Sequence, residues 1–109
     1  MFARILEFVP KTEKKDEFIN MLRQEVLPIL RKQPGFLELM PFDPEVKNQA
    51  YIVMSLWNDR RDIEKYEREV FPKVEPIVKP FLSTPITVRV FRVETTLCKH
   101  LLDSLVQAA

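Results

Sequence analysis

The stretch YIVMSLWNDRRDIEKY, residues 51–66, decides the fold. Its first half alternates. Tyr51, Val53, Ser55 and Trp57 point one way, and Ile52, Met54 and Leu56 the other. Both sets are largely apolar, which predicts a strand covered on both faces. Its second half changes period. Asn58 or Asp59 is placed to cap a helix, with Asp62 three residues beyond Asp59. Ile63, Tyr66 and Val70 then form an apolar stripe at helical spacing. Trp57, the only tryptophan of the chain, stands at the junction. It either walls a ligand or closes a core.

Working outward, residues 2–9 (FARILEFV) predict another strand. Phe2, Arg4, Leu6 and Phe8 share one face, and Ala3, Ile5, Glu7 and Val9 the other. Thr12 is placed to cap a helix running to about Lys32, with Phe18, Leu22, Val26 and Ile29 as its stripe. Pro28 removes the bond to the carbonyl of Gln24 and predicts a kink or break. Pro34-Gly35 ends the element, with Gly35 as a left-handed cap. Residues 36–42 predict a strand in which Phe36, Glu38, Met40 and Phe42 alternate with Leu37, Leu39 and Pro41. Pro41 puts that strand at an edge.

After the second helix come Pro72, Pro76, Pro80 and Pro85. These predict a helix ending near Phe71 and then short turns, each opening on a proline. Residues 86–94 predict a fourth strand, with Ile86, Val88 and Val90 on one face and Phe91 and Val93 on the other. Leu97, Leu101 and Leu105 mark a C-terminal helix. The order β-α-β-β-α-β plus a helix is the split βαβ, ferredoxin-like pattern of the α+β class. It implies a four-stranded antiparallel sheet with helices on one face. The reading divides the chain into a domain over 1–94 and a helical extension over 95–109.

Bulk properties exclude several functions. A chain of 109 residues suggests one domain. Seventeen basic against 16 acidic residues give a net charge of +1, without the basic excess of a nucleic-acid binder. No apolar run approaches the roughly 18 residues a membrane helix needs. MFARILEFVPK lacks the long apolar core of a signal peptide, so a cytoplasmic location is expected. One glycine against nine prolines leaves no glycine-rich phosphate loop. The single Cys98 forms no internal disulfide and no zinc set. No nucleophilic Ser/His/Asp or Cys/His set is visible from spacing.

The sheet also has a face that two principal helices leave bare. An apolar face of that size is covered economically by another copy across a two-fold axis. A homodimer packed sheet to sheet is therefore expected. The C-terminal leucine stripe either joins that contact or folds back on its own subunit.

Three passages resemble the antibiotic biosynthesis monooxygenase family of dimeric α/β-barrel proteins. They are YIVMSLWNDRRDIEKY, KKDEFINMLRQEVLPILRKQPGF and PFLSTPITVRVFRV, and the likeness spans about residues 1–94. Some members of that family oxidise phenols, anthrones or quinols with molecular oxygen and no metal or flavin. The resemblance thus implies a cofactor-independent monooxygenase acting on a small flat aromatic molecule. The alternatives are a non-catalytic ligand-binding or stress-response homodimer, and an isomerase on the same scaffold. Haem-degrading relatives carry a histidine on the second helix. The stretch from Asp59 to Leu82 has none, so haem breakdown is disfavoured, and no cofactor or metal is expected.

Each site residue has a structural reading beside the functional one. Trp57 matches the family's tryptophan at the end of the third strand, yet a ring of that size also serves a core. Asn58 is equally a cap. A phenol at Tyr66 can donate to a bound oxyanion or simply pack. Arg4 and Arg89 can stabilise a phenolate or pair with a carboxylate such as Glu7. Ser55 is the only polar side chain beside Trp57 on its face. The candidate catalytic residues are Trp57, Tyr66 and Asn58. The candidate substrate-binding residues are Arg4, Phe8, Phe36, Met40, Ser55, Arg89 and Phe91.

Overall fold

The computed structural model describes residues 1–108, with side-chain burial described through Leu105. Strand β1 (Phe2–Phe8) and β3 (Tyr51–Trp57) occupy the centre of the sheet, as their two-sided apolar character requires. The order is β2-β3-β1-β4, with β2 (Phe36–Phe42) and β4 (Thr87–Arg92) at the edges. All neighbours run antiparallel. This is the expected ferredoxin-like arrangement, and Pro41 lies on an edge strand as expected.

Register determines what faces the helices. Arg4 pairs with Ser55 on one side and Val90 on the other. Phe2, Arg4, Leu6 and Phe8 therefore share a face with Tyr51, Val53, Ser55 and Trp57, and with Val88 and Val90. A β-bulge between Phe36 and Glu38 breaks the expected alternation of β2. It puts Phe36 and Leu39 opposite Trp57 and Ser55, on the helix side, while Glu38, Met40 and Phe42 turn to the other face.

The first helix departs from a simple kink. A 3₁₀ turn (Thr12–Lys14) leads into α1 (Lys15–Met21), a π-helical turn (Leu22–Val26) and α2 (Leu27–Arg31). The Leu27 N–H reaches the carbonyl of Leu22, five residues back. Pro28 has no N–H to offer Gln24, and the wider turn just before it absorbs the fault. Thr12 does not cap; its hydroxyl lies 3.4 Å from Asn48 Oδ1. Gly35 takes the left-handed conformation expected of it, with φ +79°.

Asp59, not Asn58, caps α3 (Arg60–Glu69) by accepting from the Arg61 N–H. The chain breaks at Val70 and resumes as α4 (Phe71–Val78), then a 3₁₀ turn (Lys79–Phe81). Pro72 and Pro80 open their elements as expected, whereas Pro76 lies inside α4. The cost there is the lost intrahelical bond to the carbonyl of Pro72, which is exposed to solvent. The helix α5 (Lys99–Ala108) lies against β2, with Leu102 buried and Leu101 exposed; Leu97, expected on its stripe, lies in the turn before it and is exposed.

One core joins Phe8, Tyr51, Val53 and Trp57 of the sheet to Phe18, Leu22, Val26, Leu30, Ile63, Tyr66, Val74 and Val78 of the helices. The opposite face of the sheet carries Ile5, Ile52, Met54, Met40, Phe42 and Phe91. Phe42 and Phe91 are 49% and 47% exposed. Among the described residues, no helix is long and apolar enough to cross a membrane.

Candidate functional site

Where β1 and β3 meet the helices, packing leaves a small internal cavity of about 40 Å³. Arg4, Leu6 and Phe8 line it from β1, and Val53 and Ser55 from β3. Leu22, Val26, Leu30 and Leu39 close one side, and Tyr66, Phe71, Val74 and Val78 the other. Outside it runs a groove of about 430 Å³ between β4 and the helices, lined by Arg4, Glu67, Phe71, Val88 and Val90. Arg4 and Phe71 border both spaces. The cavity alone is water-sized. The groove is an open depression on the surface rather than an enclosed pocket.

Arg4 dominates the electrostatics. Its side chain is 3% exposed, its Nε donates to Glu67 Oε1 at 3.0 Å, and Glu67 is 38% exposed. Its guanidinium carbon lies 5.2 Å from the Tyr66 ring centre and 4.4 Å from that of Phe71. Its Nη2 is buried and has no hydrogen-bond partner. A buried guanidinium normally fills its donors, because an unmet donor bears the full cost of leaving water. Burial raises the Tyr66 pKa above the ordinary phenol value. The Arg4 charge opposes that rise and the Glu67 charge adds to it. Tyr66 thus stays a neutral phenol at physiological pH.

Trp57 stands behind this wall. It is fully buried, with its ring centre 5.2 Å from Tyr66 and 5.5 Å from Phe36. Its Nε1–H donates to Ser55 Oγ at 2.9 Å, and Ser55 in turn reaches the carbonyl of Arg4 at 3.4 Å. The chain Trp57–Ser55–Arg4 links three of the residues singled out in the sequence. Trp57 orients Ser55 and backs Tyr66 without lining the cavity itself.

The remaining predicted site residues divide. Phe8 lines the cavity, and Phe36 packs edge-on against Trp57. Asn58 is exposed, its backbone N–H bonded to the Gly35 carbonyl at 2.9 Å. Met40, Arg89 and Phe91 lie on the opposite face of the sheet, where Arg89 meets Glu7 at 3.3 Å. The structure does not bring these last four to the cavity. It adds Glu67, Phe71, Val88 and Val90, which sequence reasoning did not select. Glu67 follows Tyr66 and stands four residues after Ile63, so it flanks the apolar stripe; that position is its only sequence signal.

A second cleft of about 350 Å³ lies at the end of the sheet, bordered by Lys11, Lys15, Lys47, Asn48 and Tyr51 among others. There Lys15 meets Asp43 at 3.0 Å. The Lys15 hydrogen bond holds the Asp43 carboxyl below its usual range, and Asp43 raises the Lys15 pKa in return. Of the three lysines bordering this cleft, Lys15 is ion-paired, and Lys11 and Lys47 have no ion-pair partner among the described residues. Among the described residues, no cluster of His, Cys, Asp and Glu is arranged to hold a metal ion.

The family model described as antibiotic biosynthesis monooxygenase matches residues 1–69. The chain belongs to the antibiotic biosynthesis monooxygenase family. The match spans the stretch from which the fold was read, including Trp57, Tyr66, Glu67 and Arg4. Solved structures agree with it. SnoaB, a cofactor-independent oxygenase from Streptomyces nogalater, superposes with a TM-score of 0.72 at 14% identity, over 85% of this chain and 92% of that one. A conserved protein from Methanosarcina mazei Go1 gives 0.69 at 18% identity, over 86% and 94%. Rv0793 from Mycobacterium tuberculosis gives 0.66 at 15% identity, over 84% and 93%. At these identities the likeness carries the fold. No curated protein matches the chain.

Proposed function

We propose that this family member is a cofactor-independent monooxygenase acting on a small phenol, anthrone or quinol with O₂. The observation that carries the proposal is the unpartnered, buried Nη2 of Arg4, whose guanidinium packs on Tyr66 and lines both the inner cavity and the surface groove. A donor buried without a protein partner is available to an acceptor oxygen on the ligand. When the bound molecule loses a proton, negative charge develops on that oxygen, and Arg4 and the Tyr66 phenol stabilise it. The resulting carbanion or phenolate is itself the reductant of O₂. For an anthrone the balance closes with no added reductant. The CH₂ becomes C=O, one oxygen atom is kept, and the other leaves with the two hydrogens as water. In this reading Arg4, Ser55 and Tyr66 face the ligand, and Trp57 positions Ser55 and Tyr66 from behind. Phe71 and the valines of β4 hold the flat body in the groove.

The active form in this reading is a cytoplasmic homodimer. The bare face around Ile5, Met54 and Phe91 packs against its copy, and two sheets back to back make the α/β barrel. The rival is a non-catalytic ligand-binding or stress-response dimer of this fold, which needs the groove but no catalytic group.

The deciding experiment is oxygen uptake by metal-free protein with a panel of anthrones, naphthols and quinols. Uptake well above the uncatalysed rate, lost in R4M and reduced in Y66F while both remain folded, is expected. No uptake across the panel, with ligand binding retained, would select the rival.

A further inference from the structure

Arg4 and Glu67 together carry no net charge; both line the groove, and Arg4 also lines the inner cavity. The Nε of Arg4 is occupied by Glu67 at 3.0 Å, while its Nη2 is free and buried. Tyr66 and Phe71 pack against the guanidinium. A ligand oxygen that reaches Nη2 therefore meets a donor whose positive charge is already balanced. A carboxylate there sheds its hydration and adds a second negative charge beside Glu67. A neutral carbonyl accepts the same hydrogen bond at a far smaller desolvation cost.

We propose that Glu67 is a specificity-determining residue. By neutralising Arg4 it makes the site accept the neutral carbonyl oxygen of a ketone or quinone and reject a carboxylate of the same size. The inference rests on the cavity and groove being the substrate site. Of the substrates proposed above, an anthrone therefore binds as its keto tautomer, and charge arises on its oxygen only once a proton has left. The Arg4 hydrogen bond then strengthens during reaction rather than at binding, which is where it lowers a barrier.

The test uses acetylnaphthalene and naphthoate, which share a ring system and differ by a methyl group in place of an anionic oxygen. Binding of each is measured at neutral pH to wild type, E67Q and R4M. Wild type is expected to hold acetylnaphthalene at least ~10-fold more tightly, about 1.4 kcal/mol. E67Q, which keeps the shape and removes the charge, is expected to raise naphthoate affinity by a similar factor and leave acetylnaphthalene nearly unchanged. R4M is expected to weaken acetylnaphthalene. Equal or tighter binding of naphthoate to wild type overturns the proposal, as does a naphthoate affinity unmoved in E67Q. The predicted preference without oxygen uptake on the anthrone panel refutes the oxygenase and leaves this inference standing. Binding of neither probe overturns both.

Discussion

Replacing Arg4 with methionine is expected to weaken ligand binding and yet stabilise the protein. The magnitude follows from what Arg4 touches. Its ion pair with Glu67 has a partner 38% exposed, so after screening it contributes about 0–1 kcal/mol. Its packing against the Tyr66 and Phe71 rings contributes about 1–2 kcal/mol. Against these stands the unmet Nη2, which costs about 1–3 kcal/mol by itself. The rest of a charge that is 3% exposed adds a further desolvation cost. Methionine keeps the apolar stem in place and leaves the Glu67 carboxylate free to turn to water. The net is a gain of about 1 kcal/mol, a rise in Tm of roughly 4–8 °C for a domain of this size. The assay is urea unfolding at fixed protein concentration, followed by the fluorescence of Trp57, a single fully buried reporter. The midpoint is expected to rise with the slope unchanged. A fall equivalent to about 2 kcal/mol or more would show that Arg4 holds the fold, and that its free donor is not kept for a ligand.

Other outcomes follow from the same packing. W57F keeps a ring but empties part of its site and frees Ser55 Oγ, so it should lower stability by about 2 kcal/mol in urea unfolding followed by far-UV circular dichroism. G35A puts a Cβ at φ +79° against the Asp62 side chain and should destabilise by about 1–3 kcal/mol. The Asp59 carboxyl is held below the ordinary aspartate range, first by the Arg61 backbone N–H and then by its side chain. A lowered folded value means that its contribution is fully present above the unfolded value and is lost as pH falls through the folded one. D59N should therefore flatten the acid-side slope of a Tm-against-pH curve and leave the alkaline side alone. M54E, at the centre of the bare sheet face, should halve the mass seen by light scattering without unfolding the chain.

Much of the fold was legible because it rests on local patterns. The alternation of Tyr51–Trp57 and of Phe2–Phe8 is written into neighbouring residues, and both stretches became central strands. The stripe Ile63–Tyr66 and the cap at Asp59 are equally local. Errors arose where a fault is absorbed over several residues. The π turn ahead of Pro28 and the bulge at the start of β2 each shift the register by a residue. No spacing rule distinguishes such a shift from a kink or a regular strand. The bulge mattered most, because it sent Phe36 and Met40 to opposite faces.

The sequence by itself determined the element order, the two-sided apolar sheet, and the presence of Arg4, Ser55, Trp57 and Tyr66 among the residues worth following. Their types and spacing settle which strand or helix carries each. Only the tertiary structure decided which of them meet. Arg4 and Glu67 are 63 residues apart in the chain and 3.0 Å apart in space. Their meeting depends on the register of β1 against β3 and on the docking of α3 over both. Asn58 and Arg89 look equally suitable in the sequence, yet one lies at an exposed loop and the other on the far face. A side chain's chemistry is a property of its residue type. Its burial and its partners are set by contacts between segments distant in the chain, which no local pattern encodes.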